Sequence, residues 1–158
     1  MQVGDPVVLL DAWRERYEFS RHRVIRGHIA ARTSESLVSE LTAGLVEAGK
    51  RHALTGLGAA WLYSPFAGYN TVAMYVDVVP SDGLKNRLRF HEADTGANVW
   101  LVVPNDEGVF QGDNIVSGVK CVHPVQVYLD LKEHPERSTE AAQVLRVDVL
   151  KKIWSKDE

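Results

Sequence analysis

The sequence predicts an α+β domain, a small mixed sheet with helices packed on it. Three observations carry that reading. Thr71 to Val79 alternates, with Val72, Met74, Val76 and Val78 on one side and Ala73, Tyr75, Asp77 and Val79 on the other. Asn98 to Val103 is apolar almost throughout, as a central strand covered on both faces would be. Val122 to Leu145, reading VHPVQVYLDLKEHPERSTEAAQVL, opens with a helix apolar on most of its circumference. A helix like that must be covered on several sides, so it belongs at the centre of the core. In chain order the elements read α, β, α, α, β, α, β, β, α, α. At 158 residues the chain is read as one domain, with residues 5–19 as an N-terminal helix leading into it.

Asp5-Pro6 is a helix-start pair, and Leu10, Trp13 and Tyr17 then recur at i, i+3 and i+7. Val24-Ile25 and His28-Ile29-Ala30 suggest a strand, with Gly27 as a bulge or bend. Arg21, His22, Arg23, Arg26 and Arg32 make this stretch locally basic. A solvated edge strand guarded by charge explains them more simply than a nucleic-acid contact, since no aromatic residues interleave for stacking. Ser34 opens a helix with Leu37, Val38, Leu41, Leu45 and Ala48 as its buried stripe and Gly49 after its end. Lys50 to His52 links it to a second helix over Ala53 to Tyr63, where Thr55 suits the N-cap and Gly56 and Gly58 permit close approach. Ser81 to His91 reads as a short helix with Leu84 and Leu88 on one side, and Ile115 to Val122 as a strand interrupted by Gly118. Pro124 suits the first turn of the central helix and Pro135 stops it; only Gln126, Asp130 and Glu133 form a polar stripe along it. Ser138 or Thr139 caps the last helix, through Glu140, Ala141, Ala142 and Leu145 to Ile153-Trp154, with Lys151 and Lys152 suited to its C-terminal dipole.

A formal charge of −3 and a pI near 6.1 argue against a chain built mainly to neutralise phosphates. The one cysteine, Cys121, allows no internal disulfide and sits in an apolar run, as a buried inert thiol does. No apolar run approaches the ~20 residues of a membrane span, and the expected setting is cytoplasmic. The six histidines show no metal-ligand spacing, so no metal and no cofactor are expected.

Two constellations remain. Thr55-Gly56-Leu57-Gly58 followed by a strand bearing Asp77 looks like the opening of the nucleotidyltransferase fold. Two-metal phosphoryl transfer needs paired carboxylates, and the residues two away from Asp77 are Tyr75 and Val79. Either the fold is related but catalytically dead, which is the favoured reading, or the likeness is accidental. Thr55, Gly56, Gly58 and Asp77 then mark at most a degenerate nucleotide pocket, and an active transferase is the weaker alternative. Gly56-x-Gly58 also lacks the preceding strand and third glycine of a dinucleotide fingerprint. The second constellation is Asp130 with Arg137, an arginine able to fold back onto Asp130 or Glu133 and fix a helix-to-helix corner.

The run Val125-Gln126-x-Tyr128-Leu129-Asp130-Leu131, followed by Arg137-x-x-Glu140-Ala141-Ala142, resembles the C-terminal domain of the AbiEi-family antitoxins of type IV toxin–antitoxin systems. Ala53-Leu54-Thr55-Gly56-x-x-Ala59-Ala60, the strand ending in Asp77, Ala97-Asn98-Val99-x-Leu101 before Pro104, and Asp5-Pro6 through Leu10-x-x-Trp13 resemble it in the same order. Ser138 departs from the pattern, which has glycine after the arginine. The resemblance makes Gln126, Tyr128, Asp130, Arg137 and Glu140 the motif residues. It implies a bacterial regulator without catalysis of its own, countering a nucleotidyltransferase-like toxin without a stable complex. Its relatives usually add an N-terminal winged helix-turn-helix that represses their operon. That reader is not in this sequence, so the chain is expected to be a fragment or a stand-alone relative, and DNA contact is not carried over to it. The remaining alternative is a nucleic-acid module using Arg21, Arg23, Arg26 and Arg32.

Overall fold

A computed structural model describes residues 12–65, 68–133 and 138–150. Residues 12–16 are helical (α1), and a 3-10 turn at Phe19–Arg21 leads into β1, Arg23–His28. Helix α2, Ser34–Glu47, is capped by Thr33, whose side chain and that of Ser36 satisfy each other's backbone N–H groups. Strand β2, His52–Thr55, runs straight into α3, Gly56–Tyr63. Strand β3, Val72–Val76, is followed by α4, Asp82–Leu88, whose N-cap Ser81 accepts from the Leu84 N–H at 3.1 Å. Then come β4, His91–Glu92; β5, Val99–Val103; a 3-10 turn at Glu107–Phe110; and the hairpin β6, Asn114–Val116, with β7, Val119–Cys121. Helix α5, Pro124–Asp130, passes into a 3-10 turn at Leu131–Glu133, and α6, Ser138–Leu145, continues as a π-turn to Leu150.

The seven strands form one mixed sheet in the order β4-β1-β5-β3-β2-β7-β6. β3 pairs in parallel with β5 and antiparallel with β2, and all five of its residues are buried. Successive side chains on a strand point to opposite faces, so both faces of the sheet are covered here. Helices α2 and α4 pack against each other, and α3, α5 and α6 pack as a second group. The expected α+β architecture with a mixed sheet is what forms. Leu37, Val38, Leu41 and Leu45 of α2, Leu84 and Leu88 of α4, and Val127, Leu129 and Leu131 at α5 all enter the core as their spacing predicts.

Several details differ from the sequence reading. His52–Thr55 is a strand rather than the link and first turn of a helix, so a strand does precede Gly56. The third glycine of a dinucleotide fingerprint is still absent. β3 ends at Val76, and Val78 and Val79 are exposed beyond it. The run from Ile115 is a hairpin, because Ser117 and Gly118 both adopt positive φ, 51° and 80°, as a tight type I′ turn requires. β1 is not the edge strand: the two residues of β4 lie outside it. Gly27 is neither bulge nor bend but a regular ladder position opposite Val99. It is glycine because a Cβ there would meet the Phe90 ring and stand 2.6 Å from the His91 carbonyl oxygen. Trp13, expected to pack, is 49% exposed. Asp5, Pro6, Leu10, Pro135, Lys151, Lys152, Ile153 and Trp154 lie outside the described residues.

Candidate functional site

Asp130, in the polar stripe of the central helix, does not face water. His123 caps α5 by accepting the Val125 N–H at 3.1 Å, and Pro124 occupies the first turn. One turn on, Gln126 and Asp130 share a side, and that side turns into the core, where Asp130 is wholly buried. Its Oδ1 accepts from the Tyr17 hydroxyl and from Gln126 Nε2 at 3.0 Å. Its Oδ2 accepts from the Thr55 hydroxyl at 2.5 Å and the Tyr75 hydroxyl at 2.7 Å. An ionised carboxylate has about four acceptor sites, and these four donors take them.

Each donor comes from a different element. Thr55 stands at the N-cap position of α3, yet its hydroxyl goes to Asp130 instead of capping. Gly56, at φ 66°, lets the chain turn from β2 into the helix at that point. Tyr75 lies two residues from Ala73, the partner of Thr55, so both point to the same face. Tyr17 reaches in from the N-terminal segment. Behind it, His22 Nδ1 accepts the Asn105 N–H at 3.1 Å, which leaves the ring proton on Nε2. Nε2 therefore donates, to the Tyr17 oxygen at 2.7 Å and more weakly to Tyr75 at 3.3 Å. Phe19, Phe110 and His22 pack around the Tyr75 ring.

Burial pushes the Asp130 carboxyl up to about 6 against the pull of its four donors. Burial and the Asp130 charge hold the Tyr17 and Tyr75 phenols well above their ordinary range, and burial lowers His22. At neutral pH the cluster therefore holds one buried negative charge among neutral partners. Its donors and acceptors are spent on each other, and it ties the N-terminal segment, β2, β3 and α5 together at one point. Three surface hollows adjoin the start of α2, and none of these is lined by the Asp130 cluster.

The expected site residues scatter. Gln126 and Asp130 meet as described. Tyr128 points elsewhere, receiving Arg146 Nη1 at 3.3 Å, with the Arg14 guanidinium 5.6 Å from its ring centre. Glu140 is exposed on α6, and Arg137 lies outside the described residues, so its pairing with Asp130 or Glu133 does too. The nucleotide-pocket set does not assemble. Thr55 pairs with Ala73 and His52 with Val76, so Gly56 and Asp77 sit at opposite ends of the β2–β3 pair. At roughly 3.3 Å per residue, the four steps from Ala73, opposite Thr55, to Asp77 are on the order of 13 Å, and Gly56 lies beyond Thr55. Gly58 stands beside Tyr69 and Leu54, in apolar packing. The four arginines form no single patch. Arg21 pairs with Glu18 at 3.2 Å, Arg26 lies 4.8 Å over Trp100, Arg23 is on the opposite face of β1 from Arg26, and Arg32 sits just before α2. Among the described residues no group of three or more His, Cys, Asp or Glu side chains is placed to hold a metal ion.

Tyr17, His22 and Tyr75 are the members of the cluster that the sequence reading missed. The signal for Tyr75 was a hydroxyl in the middle of an otherwise apolar strand, since a buried tyrosine needs a partner for its O–H.

The AbiEi_2 family, described as a transcriptional regulator and AbiEi antitoxin of type IV toxin–antitoxin systems, matches residues 2–151. The chain belongs to this family. Nearly its whole length lies within the AbiEi match, including every residue of the Asp130 cluster. AbiEi membership assigns it an antitoxin role in a type IV system, implies a toxin counterpart, and points to regulation rather than catalysis. No curated protein and no solved structure matches it. Among the described residues no helix is long and apolar enough to cross a membrane.

Proposed function

We propose that this AbiEi domain, residues 1–158 acting as one unit in the cytoplasm, is a non-catalytic antitoxin that counters a nucleotidyltransferase-like toxin. No DNA contact is assigned to these residues, since relatives of the family that read DNA do so through a winged helix-turn-helix. The observation that carries the non-catalytic reading is the saturation of Asp130. The most chemically distinctive carboxylate in the AbiEi-like segment spends its acceptor sites on Tyr17, Gln126, Thr55 and Tyr75. A carboxylate held in that way braces a scaffold; it has no lone pair left for a substrate proton or a metal. The separation of Gly56 from Asp77 supports the same reading, because phosphate-cradling glycines and metal-holding carboxylates must converge on one triphosphate.

The test is co-expression with a nucleotidyltransferase-like toxin of a type IV system. Growth is expected to recover when this chain is present. Continued arrest despite soluble expression overturns the antitoxin reading. Nucleotide incorporation by the purified chain with magnesium overturns the non-catalytic one.

A further inference from the structure

The N-terminal segment is held to the rest of the protein in an unusual way. None of residues 12–18 is buried; Ala12, Arg14 and Tyr17 are half-covered and the rest face solvent. From residue 12 onward, Phe19 is the first buried core residue. The Tyr17 ring packs against the core, and most of the polar contacts that fasten the segment converge on α5 and the turn after it. The Tyr17 hydroxyl donates to Asp130 and accepts from Gln126 Nε2 at 3.2 Å. Lys132 Nζ donates to the Glu15 and Tyr17 carbonyl oxygens at 3.1 and 3.3 Å. Arg14 lies over the Tyr128 ring. These four partners fall within Gln126 to Lys132; outside that stretch the Tyr17 oxygen also accepts from His22 Nε2 at 2.7 Å and lies 3.3 Å from the Tyr75 hydroxyl.

We propose that residues 12–18 form a detachable strap, pinned by the Tyr17 phenol in the hydrogen-bond shell of Asp130 and hinged at Phe19. Segments with little buried apolar surface open locally at a fraction of the global unfolding free energy. Release leaves Asp130 with Thr55, Tyr75 and Gln126, and water can take the vacated place, so the carboxylate is never orphaned. The strap and the α5 corner are therefore coupled. Whatever holds or pulls the chain on the N-terminal side of Phe19 biases the solvation of Asp130, and whatever binds the corner biases the strap, by the same free energy.

Hydrogen–deuterium exchange on the whole chain tests this. In Tyr17→Phe the amides of residues 12–18 are expected to exchange on the order of tenfold faster or more, the scale of one hydrogen bond to a charged group, and those of residues 130–133 to follow. The amides of β3 and β5 keep their protection. Lys132→Met removes only the strap's carbonyl contacts and is expected to produce the same local pattern more weakly, which keeps the test decisive should Tyr17→Phe fold poorly. Unchanged exchange at residues 12–18 in both variants overturns the proposal. So does a loss of protection spread evenly through β3 and β5, which would make Tyr17 an ordinary core residue.

Discussion

A buried carboxylate held by neutral donors responds to pH in the opposite direction from one held in an ion pair. Asp130 has a folded pKa of about 6 against an ordinary value of 3.8. Between those values the folded state keeps a proton that the unfolded state has released. Its contribution to stability is therefore full below about pH 4, falls as pH rises to about 6, and is level above that. His22 runs the other way: burial lowers it, so stability is lost as pH falls below about 6.5 and the unfolded imidazole takes up a proton first. Asp130→Asn isolates the first effect. The amide presents an NH2 group to hydroxyls that were donating, which should cost about 1–3 kcal/mol at neutral pH. In urea titrations, the stability gap between wild type and Asp130→Asn should be widest near pH 4 and shrink to a plateau above pH 6. A gap that widens with rising pH would mean Asp130 is held as in an ion pair. Asp130 and Gln126 were visible in the sequence as a stripe on one side of a helix. Their destination was not, because a polar stripe reads the same whether it meets water or donors from β2, β3 and the N-terminal segment.

Among the elements, the ones with a clear period were legible. The stripe of α2, the pair Leu84 and Leu88 in α4, and the apolar run of β5 sit where spacing puts them. β2 was not legible, since four residues carry too few repeats to separate a strand from the first turn of a helix. The two residues of β4 carry none. Gly27 shows the same limit from another side. Its sequence context suggested an irregularity, whereas the structure needs the missing side chain because the Phe90 ring crosses it. Gly27→Ala should cost about 1–3 kcal/mol through overpacking between β1 and Phe90, read as a lowered urea midpoint. Phe90→Leu in the same background should recover part of it. A neutral Gly27→Ala would show that the Phe90 ring and the His91 backbone both give way freely.

For the molecule as a whole, the order of the sheet could not be read from the chain. β3 lies next to β5 and β2 next to β7, and such distant pairings depend on which faces the helices cover. The family resemblance, by contrast, was legible in short runs along the sequence, and the match over residues 2–151 supports it. The basic stretch from Arg21 to Arg32 looked like a unit only in one dimension. Folding sends its members to an ion pair with Glu18, to the Trp100 ring and to opposite faces of β1. Cys121 illustrates what whole-molecule packing does to a single atom. It is fully buried at the end of β7, paired through the ladder to Leu54, and burial pushes its thiol up to about 12. Thiolate is the reactive form, so a water-soluble maleimide should label native protein very slowly. Labelling should accelerate with urea in step with loss of the sheet and stay unchanged in Tyr17→Phe at equal global stability. One sulfur atom thereby serves as a chemical clock for the parting of the β2–β7 seam, blind to smaller movements at the chain's beginning.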